Sequence, residues 1–270
     1  MFPAQDIFQT ITDLMGQYAG DSDGFVTTLR SERIPHLSYS RLSSVEFCPQ
    51  RYYIEYILMA DEGANPEYFN KGKAFHRLAA EVYTGMAHHE SPEPTSLANQ
   101  IGDEFEGENR DHLLNAAQLL LENLWQDYEV VGVEQPFVML LEPDLPPCVG
   151  VIDLILRRGD QFVVIDHKTG RAFPKLDGFQ LAVYQEYIRQ TYGVETCQSF
   201  FDCYRWVNHL GRIRKPAFQR SEVISGQSLD GIRRRFSDGY EIIRNLDHKK
   251  SIPRTGECYL CSHRKFCWER

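Results

Sequence analysis

Apolar residues recur at helical spacing over residues 6–18, 69–83 and 111–128. In the last of these, Leu113, Leu114, Ala117, Leu120, Leu121 and Leu124 line one side. Ser40 is placed to cap a short helix running through Val45. The pattern then changes. Residues 130–133, 137–141, 149–156 and 162–166 are short β-rich runs, separated by Pro, Gly and charged positions. Gly159-Asp160 between the last two predicts a tight hairpin. A helix follows over 176–191, a strand over 198–207 and a helix over 229–246, and the prolines of 91–95 predict a loop. Helix, three or four strands, helix, strand is the order of an α/β sheet with helices packed on it. Along the chain this gives a helical part at 1–128, a core at 129–210 and a C-terminal helix with a cysteine-rich tail at 211–270, together one compact unit.

Composition adds an electrostatic asymmetry. The 270 residues carry a net charge of −9, which argues against a protein that coats nucleic acid nonspecifically. From Arg205 to Arg270, however, 15 Lys and Arg face 7 Asp and Glu, so the tail is basic while the body is acidic. Its cations include Arg212, Arg214, Lys215, Arg233, Arg234, Arg235, Lys249, Lys250 and Arg254. They form either a solvated surface or a local phosphate-binding face. There is no charged-then-apolar leader after Met1 and no apolar run of bilayer length, so a cytoplasmic location without membrane contact is expected.

Candidate chemistry sits in two neighbouring β runs. The first contains Gly150-Val-Ile-Asp153, and the second reads Val163-Val-Ile-Asp166-His167-Lys168-Thr-Gly170. Side chains alternate along a strand, so Asp166 and Lys168 share a face. Pairing of the two runs as a hairpin brings Asp153 beside Asp166. Two carboxylates so placed repel unless a cation bridges them, and carboxylate oxygens are the hard ligands that Mg²⁺ or Mn²⁺ prefers. A lysine alongside can orient water or neutralise charge on a phosphate.

Seven cysteines, an odd number, do not read as a disulfide framework in a chain without an export signal. Cys148, Cys197 and Cys203 lie in apolar runs and read as small buried hydrophobes. Cys258, Cys261 and Cys267 have C-x₂-C-x₅-C spacing, which wraps a metal centre but lacks a fourth ligand. Cys48 is the candidate for it. Four thiolates suit an iron–sulfur cluster or Zn²⁺, and His263 offers a competing Cys₃His zinc set.

These segments together resemble the RecB-like branch of the PD-(D/E)XK nuclease superfamily, from Ser38 to Cys267. The D-x-K element is Asp166-His167-Lys168, and the upstream acid is Asp153, with Ile152 where the family's proline stands. The branch's Q-x-x-x-Y helix is matched by Gln180-Leu-Ala-Val-Tyr184, and its upstream G-x-x-x-H by Gly72-Lys-Ala-Phe-His76. Ser38-x-Ser40-x-Leu42 followed by Cys48-Pro49 is similar to members with a four-cysteine cluster, such as the AddB nuclease domain and CRISPR-associated exonucleases.

The resemblance implies a restriction-endonuclease-like mixed central sheet flanked by helices, with the helical N-terminal part and the cysteine-rich tail joined by the cluster. It implies Mg or Mn held by His76, Asp153, Asp166 and the His167 backbone carbonyl, with the His167 side chain on the opposite face. Lys168 then assists the attacking water, and Gln180 and Tyr184 hold either the DNA strand or the lysine. Glu134 stands where the family often has an acid on an earlier strand. Cys48, Cys258, Cys261 and Cys267 are expected to bind [4Fe–4S] in preference to zinc. The implied substrate is DNA, single-stranded or with free ends. A second class of function is a non-catalytic DNA-binding or assembly subunit. A helicase or integrase partner is a further expectation, since G-x-x-x-x-G-K is absent and unwinding needs an outside motor.

Overall fold

The structure is a computed structural model. It describes residues 4–60, 66–90, 96, 99, 104–206, 215–223 and 227–246, and positions 252, 254, 255, 258, 261, 263 and 267 of the tail. The predicted loop at 91–95 lies outside the described residues, as do Arg212, Arg214, Lys249 and Lys250. The chain gathers into two compact units, each built from segments far apart in sequence.

One unit comprises Glu67–Gln135 and Val151–Gly226. Its helices are α5 (Pro66–Ala87), α6 (Gly107–Glu122) and α7 (Phe179–Tyr192). The strands β1 (Glu129–Met139), β2 (Cys148–Arg158), β3 (Gln161–Gly170), β4 (Cys197–Arg205) and β5 (Ala217–Glu222) form one mixed sheet in the order β1-β2-β3-β4-β5. β2 and β3 are antiparallel, joined through Gly159-Asp160 as expected, with Gly159 at φ +61°. β3 and β4 are parallel, so the chain must cross over between them, and α7 is that crossover. β5 returns antiparallel to β4.

Leu154 and Leu156 of β2 and Val163 and Ile165 of β3 pack with Phe75, Leu78 and Val82 of α5 and Leu113, Ala117 and Leu120 of α6. By alternation, Asp166 and Lys168 occupy the other face, the one that meets α7.

Several boundaries differ from the periodicity. Residues 130–133 and 137–141 were expected as two runs, but β1 passes unbroken through Pro136. α6 begins at Gly107 and ends at Glu122, short of the predicted 128. Trp125 turns inward there, and its indole N–H donates to Asp202 (2.9 Å). β5 was not foreseen. It is held by Arg220, which makes 2.8 Å bonds to both oxygens of buried Asp202, with its guanidinium 3.8 Å from the Trp125 ring centroid.

The other unit comprises Met1–Pro66, Pro136–Gly150 and Gln227–Arg270. It holds α1 (Ala4–Gln17), an unforeseen α2 (Ser22–Ser31), α3 (Tyr39–Phe47), α4 (Pro49–Tyr52) continuing into a π turn (Tyr53–Ile57), and α8 (Leu229–Arg244). The cap of α3 is Ser38, whose hydroxyl accepts from the Arg41 N–H, rather than Ser40. Ile11, Leu14, Phe25 and Leu29 form a small core with Val149. Gly150 is required because a Cβ there would come 2.5 Å from the Phe137 ring.

Candidate active site

Four elements, α5, β1, β2 and β3, deliver the polar residues. The β2–β3 ladder is regular as far as Leu154↔Ile165, and Asp153 and Asp166 are the next positions on each strand. There the Asp153 carboxylate accepts the His167 backbone N–H (2.7 Å). Lys168 Nζ lies 2.6 Å from Asp166 Oδ2. His76 of α5 places Nδ1 3.6 Å from Asp153 and 3.5 Å from Glu134 of β1. Ligand atoms of His76, Glu134 and Asp153 lie within 4.8 Å of one another.

Glu134 belongs to this group more closely than its sequence position indicates. Its backbone is left-handed (φ +44°) in the middle of a strand, a conformation that costs an L-residue roughly 1–2 kcal/mol and that clusters at functional sites. Gly132 and Pro136 on either side were the only sequence signal of an irregular strand.

The electrostatics show what the group lacks. Burial raises both Asp153 and Asp166 above the ordinary carboxylate range. Glu134 adds to the rise at Asp153 and Asp153 to that at Asp166, while His76 and Lys168 oppose it. Burial alone would pull the His76 imidazole down, but Asp153 and Glu134 outweigh it and lift the group to about 9. Three carboxylates thus share one histidine and one lysine, and the histidine takes a proton to reduce the repulsion. A hard divalent cation fits this donor set.

A hydrogen-bonded chain leads away from the lysine. Lys168 Nζ donates to Gln180 Oε1 (3.2 Å), Gln180 Nε2 donates to the Tyr184 hydroxyl (2.8 Å), and that hydroxyl donates to the Val151 carbonyl (2.9 Å). Burial, reinforced by Asp166 and Asp153, holds the Tyr184 phenol well above its usual range, so it keeps its proton. Of the two expected uses of Gln180 and Tyr184, this geometry corresponds to holding the lysine.

The His167 ring lies on the opposite face, as expected. It is buried and stacked on Tyr83 (centroids 6.0 Å apart), beside Phe75 and Tyr204, and burial drives its pKa well down.

The four cysteines singled out by spacing all belong to the second unit. Cys48 is buried between α3 and α4, Cys267 is buried, Cys261 is half-buried and Cys258 is exposed, none of them in a disulfide. Burial raises the Cys267 thiol, Arg254 opposes the rise, and Cys261, Cys48 and Cys258 add to it. Arg235 of α8 chelates Glu46 of α3 with two 2.8 Å bonds, and Thr255 donates to the Phe47 carbonyl (3.4 Å), bringing the tail to the residue before Cys48. His263 is also buried.

The basic run in α8 is largely consumed internally. Arg233 bonds the Leu141 carbonyl (2.9 Å) and meets Glu142 (3.2 Å), and Arg235 holds Glu46, leaving Arg234 exposed.

Comparison with known proteins agrees with this geometry. A crystal structure described as "Putative exonuclease" from Eubacterium rectale superposes with a TM-score of 0.54 at 12% identity, covering 86% of this chain and 87% of its own. A second, described as SSO0001, gives a TM-score of 0.39 at 18% identity over 86% and 85%, too distant to carry an argument. No curated protein matches the chain significantly. The profile of the PD-(D/E)XK nuclease superfamily matches residues 36–268, a span that contains the mixed sheet, His76, Glu134, Asp153, the Asp166-His167-Lys168 element and all four clustered cysteines. The chain therefore belongs to the PD-(D/E)XK nuclease superfamily and has its restriction-endonuclease-like fold.

Proposed function

We propose that this protein is a Mg²⁺- or Mn²⁺-dependent deoxyribonuclease of the RecB-like branch, hydrolysing phosphodiester bonds of DNA that is single-stranded or has free ends. The observation that carries the reading is the convergence of His76, Glu134 and Asp153 beside the Asp166–Lys168 pair. His76, Glu134, Asp153 and Asp166, with the His167 carbonyl, would hold the ion. When bound, it supplies Lewis-acid neutralisation of phosphate charge and makes water more acidic at neutral pH. Lys168 orients the attacking water and offsets charge growing on the phosphate oxygens. Gln180 and Tyr184 fix the position of Lys168, and Asp153, through the His167 N–H, fixes the backbone of β3 beside it.

The test is cleavage of 5′- and 3′-labelled single strands, duplexes and circles with Mg²⁺ and Mn²⁺ varied. Asp166→Ala and Lys168→Ala are expected to lose about 10²–10⁴-fold in rate with the fold retained by circular dichroism. Undiminished cutting by both variants would remove the proposed site. The substrate series also separates exonuclease from endonuclease action.

We further propose that Cys48, Cys258, Cys261 and Cys267 bind a [4Fe–4S] cluster that ties α3 to the tail. The support is the C-x₂-C-x₅-C spacing of the tail, none of the four in a disulfide, and the Thr255 contact that brings the tail to the residue before Cys48. Anaerobically prepared protein is expected to be brown, and Cys48→Ser to lose the visible absorption. Stoichiometric zinc without iron would overturn the cluster.

A further inference from the structure

The end of the sheet just beyond Lys168 carries an excess of cations. β3 ends at Gly170, in register with Arg205 at the end of β4, and Arg205 in turn pairs with Ala217 at the start of β5. Arg171, Arg205 and Lys215 therefore emerge together, and the loop from Arg171 to Gly178 adds Phe173 and Lys175. Arg171, Lys175 and Lys215 are exposed. The Arg205 guanidinium lies 5.0 Å from the Phe173 ring centroid, and it bonds the Lys215 carbonyl (3.1 Å).

The inner wall of this end carries one further cation. Lys71 of α5 donates to Asn109 (2.6 Å) and lies 5.5 Å from the ring centroid of Trp206, whose backbone N–H donates to the Gly170 carbonyl (3.1 Å). Burial and then Lys71 lower the buried His112 imidazole, and the Glu108 carboxylate, 3.1 Å from its Nε2, opposes them.

Four other arginines of this unit are spent on carboxylates. Arg77, Arg157, Arg189 and Arg220 of this unit each sit within 3 Å of a Glu or Asp oxygen. Among the described residues, Arg171, Lys175, Arg205 and Lys215 make no such pair. In a chain of net charge −9, four cations against the single acid of the loop, Asp177, near a phosphate-cleaving centre have an evident complement. Gly170 is two residues past Lys168, roughly 7 Å along the strand, about one nucleotide step.

We infer that Arg171, Phe173, Lys175, Arg205 and Lys215 form the track for a single DNA strand leading to the reaction centre, the cations meeting phosphates and the Phe173–Arg205 pair stacking on a base. The inference rests on the nuclease reading and names how its substrate is held. A ring and a guanidinium plane recognise the open face of an unpaired base, which a duplex hides.

Fluorescence anisotropy of labelled oligothymidine, with divalent ions withheld, tests it. The exposed double variant Arg171→Ala/Lys175→Ala is expected to bind at least tenfold more weakly. It is also expected to flatten the dependence of log K on log salt by about 1.4, or 0.7 per lost phosphate contact. Phe173→Ala should weaken binding with the salt slope unchanged, and Phe173→Trp should restore it. An unchanged affinity and slope in the double variant overturns the track, and an equal loss on blunt duplex overturns its single-strand character. If the wild-type protein cuts nothing in either metal yet binding still depends on Arg171 and Lys175, the nuclease reading falls and the track stands. If Asp166-dependent cutting is present and binding ignores the loop, the reverse holds.

Discussion

Lys168 reaches the Val151 carbonyl through two side chains, and this makes the roles of Gln180 and Tyr184 separable by kinetics. Tyr184→Phe deletes one hydroxyl from that chain, so kcat is expected to fall about tenfold with KM for DNA little changed. A rise in KM alone would assign the pair to DNA contact instead. Glu134 offers a second residue-level test. Both Glu134→Gly and Glu134→Ala remove a carboxylate, but only glycine relieves the left-handed backbone, so the Gly variant is expected to be the more stable by about 1 kcal/mol in urea unfolding. The opposite order would show that φ +44° costs nothing there. His36 supplies a pH effect. Burial, then Arg41, lowers its pKa to about 4, while its bond to the Ile34 carbonyl (2.7 Å) opposes the shift. Between pH 6.5 and 4 the unfolded chain takes up the proton first, so stability falls as pH drops through that window. His36→Gln should remove that part of the acid-side slope in urea titrations at pH 7 and pH 5.

Among elements, β5 and the end of α6 depend on one buried carboxylate. Asp202 receives the Trp125 indole and both Arg220 bonds, so Asp202→Ala strands a guanidinium and an indole N–H. The expected cost is about 3–5 kcal/mol, read as a drop in Tm of roughly ten degrees. A change within two degrees would mean that the clamp is dispensable. The sequence could not reveal such a clamp, because Trp125, Asp202 and Arg220 are distant along the chain and each is ordinary alone. β2 and β3 were legible because both are nearly continuous apolar runs, with acids where the apolar pattern breaks. The Asp166–Lys168 pairing followed from alternation alone. β1 was read as two pieces because Pro136 normally ends a strand, and α6 was extended too far because Leu124 continues the helical stripe after the backbone has turned. His76, Gln180 and Tyr184 were reached by resemblance to a family pattern. Glu134 was only faintly marked, since its place depends on a third strand and an unusual φ.

On the scale of the whole molecule, the polar centre and the cysteine group belong to different units, each assembled from separated stretches of chain. Loss of the proposed cysteine-bound centre is therefore expected to act on stability more than on chemistry. Cys48→Ser should lower Tm and make the tail more sensitive to protease, while residual folded protein keeps its Asp166-dependent turnover per molecule. Abolished turnover in fully folded Cys48→Ser protein would contradict that separation. Another consequence follows from the Tyr184 contact. Val151 and Asp153 are neighbours on β2, so the strand that supplies the acid also tethers, by way of α7, the ammonium opposite it. When β2 breathes, acid and ammonium are carried in step. The gap between them, which on the proposed function a water and a phosphate must fit, is thus gauged by a single strand and is buffered against thermal wandering of the rest of the sheet.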